Sequence, residues 1–140
     1  MIIEPFKAWH LEKLSLQPSQ AHFSDFFDPK YGPSLERGGP AFTGFDGDDI
    51  VGCCGLVKHW ENRATAWALL GDTSGRNFVS IHKAVRRFLD MCDFNRVECY
   101  VDAGFEEGHR WVKMLGFEPE GYMKAFSPLG DDAVLYARLK

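Results

Sequence analysis

The sequence is short of positive charge. It carries 16 Lys and Arg against 20 Asp and Glu, a formal net charge of −4. Proteins that bind nucleic acid through its phosphates show the opposite balance, so no nucleic-acid partner is expected. Lys83, Arg86 and Arg87 read as the solvated face of a helix. No apolar run reaches the roughly 18–20 residues that a membrane span needs, and no membrane contact is expected. The opening MIIEPFKAWHLEKL lacks the basic flank, apolar run and small-residue cleavage site of a secretory leader. The expectation is a cytoplasmic protein, or one packaged from inside a cell. Cys53, Cys54, Cys92 and Cys99 include no C-x-x-C pair, and the adjacent Cys53 and Cys54 face opposite sides of a candidate strand. Buried reduced thiols are expected, and no metal. An internal repeat, a low-complexity tract and a linker are also missing, so residues 1–140 are expected to form one domain.

What is present suffices for a packed core: 45% of residues are hydrophobic and 14% aromatic. The chain is organised around RATAWALLGDTSGRNFVSIHKAVRRFLD, residues 63–90. Arg63 to Leu70 alternates as a strand, with Thr65, Trp67 and Leu69 pointing one way and Ala64, Ala66 and Ala68 the other. A polar turn with Gly71 and Gly75 follows. Phe78, Ile81, Val85, Phe88, Leu89 and Cys92 then recur with a period near 3.6, the mark of an amphipathic helix. A strand, a glycine-bearing turn and a helix start make an anion site, because the backbone can approach and free N–H groups face the ligand.

In chain order, Ile2 to Glu4 reads as a strand and Pro5 to about Leu16 as a helix. A second helix is expected over Gln20 to Phe27, ended by Pro29, Gly32 and Pro33, with a loop to Pro40. Ala41 to Phe45 and Ile50 to Lys58 form a hairpin around Asp46-Gly47-Asp48, with Gly52 and Gly55 marking bulges or close packing. After the central helix come a strand, Arg96 to Val101, and a helix, Phe105 to Leu115, stopped by Gly116. A last hairpin pairs Phe117 to Phe126 with Ala133 to Leu139. The order β-α-α-β-β-β-α-β-α-β-β predicts a mixed sheet with helices on both faces. Its parallel pair flanks the central helix, and ligands favour the carboxyl ends of such strands.

This order and several local phrases resemble the GNAT acyl-CoA N-acyltransferase family, most closely from Ala41 to Phe126. FTGFDGDDIVGCCGL is similar to the family's hairpin of strands two and three, RATAWALL to its fourth strand, and LGFEPEG to the end of its fourth helix and the start of strand six. The resemblance implies an α+β fold: a mixed, mostly antiparallel twisted sheet of about seven strands with about four helices on both faces. It implies acetyl-CoA as co-substrate, no metal, and direct acetyl transfer to an amine of a small molecule or a protein, by a monomer or homodimer. The pantetheine arm would bond backbone groups near Ala68, Leu69 and Leu70. The pyrophosphate would meet Asp72, Ser74, Gly75, Arg76 and Asn77.

Two departures from the family stand out. Its pyrophosphate loop reads [QR]-x-x-G-x-[GA]; here Gly75 fits, but Asp72 replaces the basic or amide residue and Asn77 the small one. Many members also carry a tyrosine that protonates the leaving thiolate, and Val112 stands at that position. Short phage-encoded GNAT-like proteins look similarly eroded. The competing reading is therefore a structural or interaction protein, such as a virion component, that keeps the fold without the cofactor.

No general base stands out. Asp102 follows the fifth strand and is a base or a helix cap. His109 on the fourth helix is a base or a surface histidine, and Tyr122 lines the cleft or packs against a neighbouring strand. The resemblance places His22 and Phe26 of the second helix beside the acceptor; plain amphipathic packing is the other reading. Trp67 walls that pocket or packs the core.

Overall fold

The computed structural model describes residues 1–18, 20, 21 and 29–140. In order these form β1 (Ile2–Pro5), α1 (His10–Lys13), α2 (Tyr31–Gly38), β2 (Ala41–Asp46), β3 (Asp49–Trp60) and β4 (Arg63–Leu70). A 3-10 turn (Gly75–Asn77) leads into α3 (Phe78–Met91), then β5 (Arg96–Asp102), α4 (Glu106–Met114), β6 (Glu118–Met123) and β7 (Ala133–Leu139). The fold is α+β: one seven-stranded sheet in the order β1-β2-β3-β4-β5-β7-β6, mostly antiparallel, with a parallel β4–β5 pair. By contacts the chain divides into two compact units, residues 1–58 with 66–91, and residues 59–65 with 92–140.

In the first unit β1 pairs with β2, and β2 with β3. Gly44 opposes Gly52 but Phe45 opposes Ile50, so Val51 is an extra residue in β3. The bulge lies beside Gly52. It turns Ile50 to the same side as Cys53, where both join Phe6 and Leu35 in a buried cluster. Leu11, Leu14 and Tyr31 pack on that cluster, so α1 and α2 cover this face. Phe42, opposite Cys54, points the other way and meets Phe88 of α3 at 5.2 Å between ring centroids. α3 buries Ile81, Val85 and Leu89, the stripe its period predicts.

The early helices differ from the sequence expectation. Pro5 closes β1 opposite Phe42, and Phe6 N–H donates to Ala41 O at 3.1 Å. The backbone is thus still extended where a helix was expected to begin, and α1 shrinks to His10–Lys13. Trp9, next to its start, is exposed. Tyr31–Gly38, read as loop, is helical. Pro33 sits in its first turn, where no intrahelical bond needs the missing N–H, and Ser34 N–H already donates to Lys30 O at 3.0 Å. The expected helix over Gln20 to Phe27 falls mostly outside the described residues.

In the second unit β5 runs parallel to the start of β4, from Arg63↔Arg96 to Thr65↔Glu98, and antiparallel to all of β7. β6 lies along β7 with Glu120 bulged out. α4 ends at Gly116, whose φ of 96° is a conformation that only glycine adopts without strain. Glu98 is 3% exposed. Arg63 Nε donates to its two oxygens at 2.8 and 3.1 Å, Arg96 Nε lies 3.4 Å away, and Arg96 pairs in turn with Glu120. The Arg63 guanidinium holds the Glu98 carboxyl below the usual carboxylate range.

Candidate functional site

Along a strand, successive residues turn their N–H and C=O groups to opposite edges. At the end of β4, Gly71 N–H donates to Val51 O at 2.7 Å, so that residue faces β3. Ala68 and Leu70 face the other edge. There the ladder with β5 covers only Arg63–Thr65. The two backbone groups that the resemblance assigned to a pantetheine arm are held by a side chain: Gln20 Nε2 donates to Ala68 O at 3.0 Å, and Leu70 N–H donates to Gln20 Oε1 at 2.9 Å. Gln17 N–H donates to Leu70 O, Asp72 N–H to Ser15 O, and Leu16 bridges Gly71. Residues 15–17 and Gln20 thus line the edge of β4 beyond its last strand partner. Leu69 is buried and faces the opposite way along the backbone.

The turn that follows is tightly made. A Cβ on Gly71 would lie 2.9 Å from Ile50 O and 3.0 Å from Val51 O, so only glycine lets the chain pass this close to the bulge. Ser74, buried, donates its N–H to Gly71 O, and Asn77 N–H donates to Ser74 O, both at 3.1 Å. Asn77 Nδ2 donates to Asp46 Oδ2 at 3.1 Å and to Thr73 O at 3.3 Å, bracing the turn against the β2–β3 hairpin. Exposed Arg76 lies 3.5 Å from Asp46 and 3.8 Å from Asp49. Asp72 is exposed, and the N-cap of the 3-10 turn, Ser74, makes no side-chain capping bond. Gly75 is open: a Cβ there would meet nothing within 4 Å, and its φ lies outside the left-handed region. The turn therefore presents bare backbone at a helix start, with Arg76 as its cation. Thr73 Oγ1 is buried there without a hydrogen-bond partner among the described residues.

Trp67 on β4 is half-buried and meets Phe6 edge-on at 5.2 Å between centroids. Its Nε1 is buried and unpartnered among the described residues. A buried donor left without an acceptor costs roughly 1–3 kcal/mol, which marks this indole as a group able to hold a ligand atom. His22 and Phe26 lie outside the described residues.

The other candidates sit in the second unit. Asp102 ends β5, opposite Ala133, and its carbonyl accepts Phe105 N–H at 2.9 Å. His109 Nε2 lies 3.0 Å from Ala103 O, and Nδ1 lies 2.7 Å from Tyr136 Oη. A carbonyl only accepts, so the proton sits on Nε2, and Nδ1 accepts from the tyrosine. Tyr122 donates to Asp132 Oδ2 at 2.7 Å, and Asp132 Oδ1 accepts Ala125 N–H, so this pair fixes the β6–β7 loop. That bond raises the Tyr122 pKa. Val112 is buried on α4.

A buried polar trio had no signal in the sequence. His10, 2% exposed, accepts Lys7 N–H at Nδ1, and Thr43 Oγ1 lies 2.7 Å from the same nitrogen and 3.5 Å from Cys53 Sγ. Burial lowers the His10 pKa from 6.5, against the pull of Glu4 and Glu36. Burial also pushes the Cys53 thiol up to about 11, and Cys54 and Cys99 to about 12. Among the described residues no group of three or more His, Cys, Asp or Glu is placed to hold a metal ion. No helix among them is long and apolar enough to cross a membrane.

Neither a protein-family model nor a curated protein matches the sequence. Solved structures do resemble the fold. A probable acetyltransferase from Staphylococcus epidermidis aligns with a TM-score of 0.79 at 11% identity, over 99% of this chain and 98% of that one. A GNAT-family acetyltransferase from Bacillus anthracis gives 0.66 at 14% identity, over 98% and 93%. A spermidine N-acetyltransferase variant from Vibrio cholerae gives 0.69 at 11% identity, over 99% and 95%. At such identities the likeness is one of architecture: the chain has the fold of GNAT acetyltransferases.

Proposed function

We propose that residues 1–140 form an acyl-CoA-dependent N-acyltransferase domain that moves an acetyl group from acetyl-CoA to an amine of a small molecule or a protein. The reading is carried by one observation: past its ladder with β5, β4 has a main-chain donor at Leu70 and an acceptor at Ala68 that the Gln20 side chain covers in place of a strand, and it leads straight into the open Gly75 turn at a helix start. The residues fit the co-substrate in two respects. Ala68 and Leu70 give an extended arm the groups a neighbouring strand would use, and the Gly75 turn offers bare backbone to a pyrophosphate. In a third respect they resist it, because Arg76 is flanked by Asp46 and Asp49.

Acetyl-CoA supplies an activated thioester. The chain's own work is positioning: the β4 backbone orients the arm, and an N–H near Leu69 polarises the carbonyl. The amine nitrogen bonds to the carbonyl carbon, the C–S bond breaks, and the thiolate leaves with the bonding pair. With a thiol pKa near 8.5 it leaves without a protein acid, so valine at position 112 slows the reaction without forbidding it. The amine gives up its proton to a base, for which Asp102, His109 and Tyr122 remain the candidates. Trp67, His22 and Phe26 would shape the acceptor site. No metal takes part, and the protein acts in the cytoplasm as a monomer or homodimer.

Asp72, Val112 and the filled edge of β4 favour a second reading: an interaction protein, such as a virion component, that keeps the fold without the cofactor. Thermal unfolding with millimolar acetyl-CoA separates the two. At about 100 times Kd the ligand adds about 2.7 kcal/mol, a rise of about 8–10 °C for a chain of this length. No rise would refute the transferase reading and direct the search to a protein partner.

A further inference from the structure

The filled edge of β4 bears on how the site would be controlled. Ala68 O and Leu70 N–H form the pair that a neighbouring strand, or the amides of an extended arm, would bond. One buried carboxamide satisfies both. Its orientation is fixed as well: Oε1 accepts from Leu70 N–H and from Gln17 Nε2 at 3.0 Å, so oxygen and nitrogen cannot exchange places. The main chain of residues 15–17 is tied to Leu70 O, Gly71 and Asp72 N–H. The Gln20 side chain can therefore swing off Ala68 and Leu70 without unpairing that segment.

We propose that Gln20 is a built-in competitor for the pantetheine arm, a latch that must open before acyl-CoA can bond to β4. This rests on the acyl-CoA reading above and adds regulation to it. With the latch closed, Ala68 O and Leu70 N–H are satisfied and the arm has nothing to bond. Binding exchanges two internal hydrogen bonds for two to the ligand, so cofactor affinity is set by the strength of the closed latch. Whatever pulls Gln20 off β4, an acceptor included, would raise that affinity in the same proportion.

The test is calorimetric titration of the full chain with coenzyme A, comparing wild type with Gln20→Ala and Gln20→Met. Methionine keeps the length and packing of the side chain and removes both bonds. Each net hydrogen bond lost from the closed state is worth a few-fold, so both variants should bind about tenfold tighter or more. In parallel, the Gln20 side-chain NH2 resonances of the wild type should shift to solvent-exposed values as coenzyme A saturates. Equal or weaker binding by both variants, or unmoved Gln20 resonances at saturation, would overturn the latch while leaving the transferase reading intact. Absence of binding in wild type and variants alike would overturn both. Binding by the variants alone would support both and show the latch closed at rest.

Discussion

Gly71 and Gly75 stand four residues apart in one turn, yet alanine should act on them in opposite ways. At Gly71 the new methyl would lie 2.9 and 3.0 Å from two main-chain oxygens, Ile50 O and Val51 O. Both belong to the β3 bulge and cannot rotate away as a flexible side chain would. Overpacking of this kind costs about 1–3 kcal/mol. Straining the 2.7 Å bond from Gly71 N–H to Val51 O adds about 1 kcal/mol. At about 3–4 °C per kcal/mol for this chain length, Gly71→Ala should lower Tm by about 6–16 °C. At Gly75 the methyl meets nothing within 4 Å and the backbone is not left-handed. Alanine there restricts only the unfolded chain, worth about 0.4–1 kcal/mol, so Tm should hold or rise by about 1–4 °C. Scanning calorimetry of the two variants decides it. If Gly71→Ala melts within about 2 °C of wild type, the close passage over the bulge is wrong. If Gly75→Ala falls by more than that, the turn is tighter than its open geometry implies. Gly75→Phe extends the comparison to the ligand: it should fold like wild type yet lose the acetyl-CoA shift, because its ring would fill the space proposed for the pyrophosphate.

Three further outcomes follow from the buried polar groups. His10 is held neutral, with its pKa below 6.5, so the unfolded chain binds its proton first; stability should be full above about pH 6.5 and fall as pH drops below it, seen as a lower urea midpoint at pH 5.5 that His10→Gln abolishes. Glu98 behaves in the other sense: its depressed pKa gives stability above the ordinary carboxylate value that is lost as pH falls through the folded pKa, so Glu98→Gln should melt lower at pH 7 and show a flatter acid limb between about pH 5 and 2. Tyr136→Phe removes the donor to His109 Nδ1; it should cost about 1 kcal/mol and move the His109 ring resonances, and unchanged resonances would contradict the bond.

How much of this was legible in advance depends on the range of each signal. β4 falls where alternation places it, and α3 buries Ile81, Val85 and Leu89 from the set its period selects, because alternation and the 3.6 period are local properties of the backbone. Gly116 was legible for the same reason: a helix end needs a left-handed residue, and glycine announces it. The first third was misread where local signals pointed both ways. Pro5 suits the start of a helix and also the edge of a sheet, and only pairing with Phe42 selects the strand. Pro33 reads as a breaker, yet in a first turn it breaks nothing.

The candidate site divides along the same line. The sequence by itself determined the strand, glycine turn and helix, and the charge and aromatic content around them. Folding alone decided what those groups face. Gln20 reaches Ala68 across 48 positions in the chain, and His10 meets Thr43 across 33. No periodicity links residues so far apart. They meet because β4 leaves its ladder after Thr65 and because α1 and the Val51 bulge share one face of the sheet. A buried donor or acceptor must then find a partner from whatever the packing brings near, and that partner is a property of the tertiary structure.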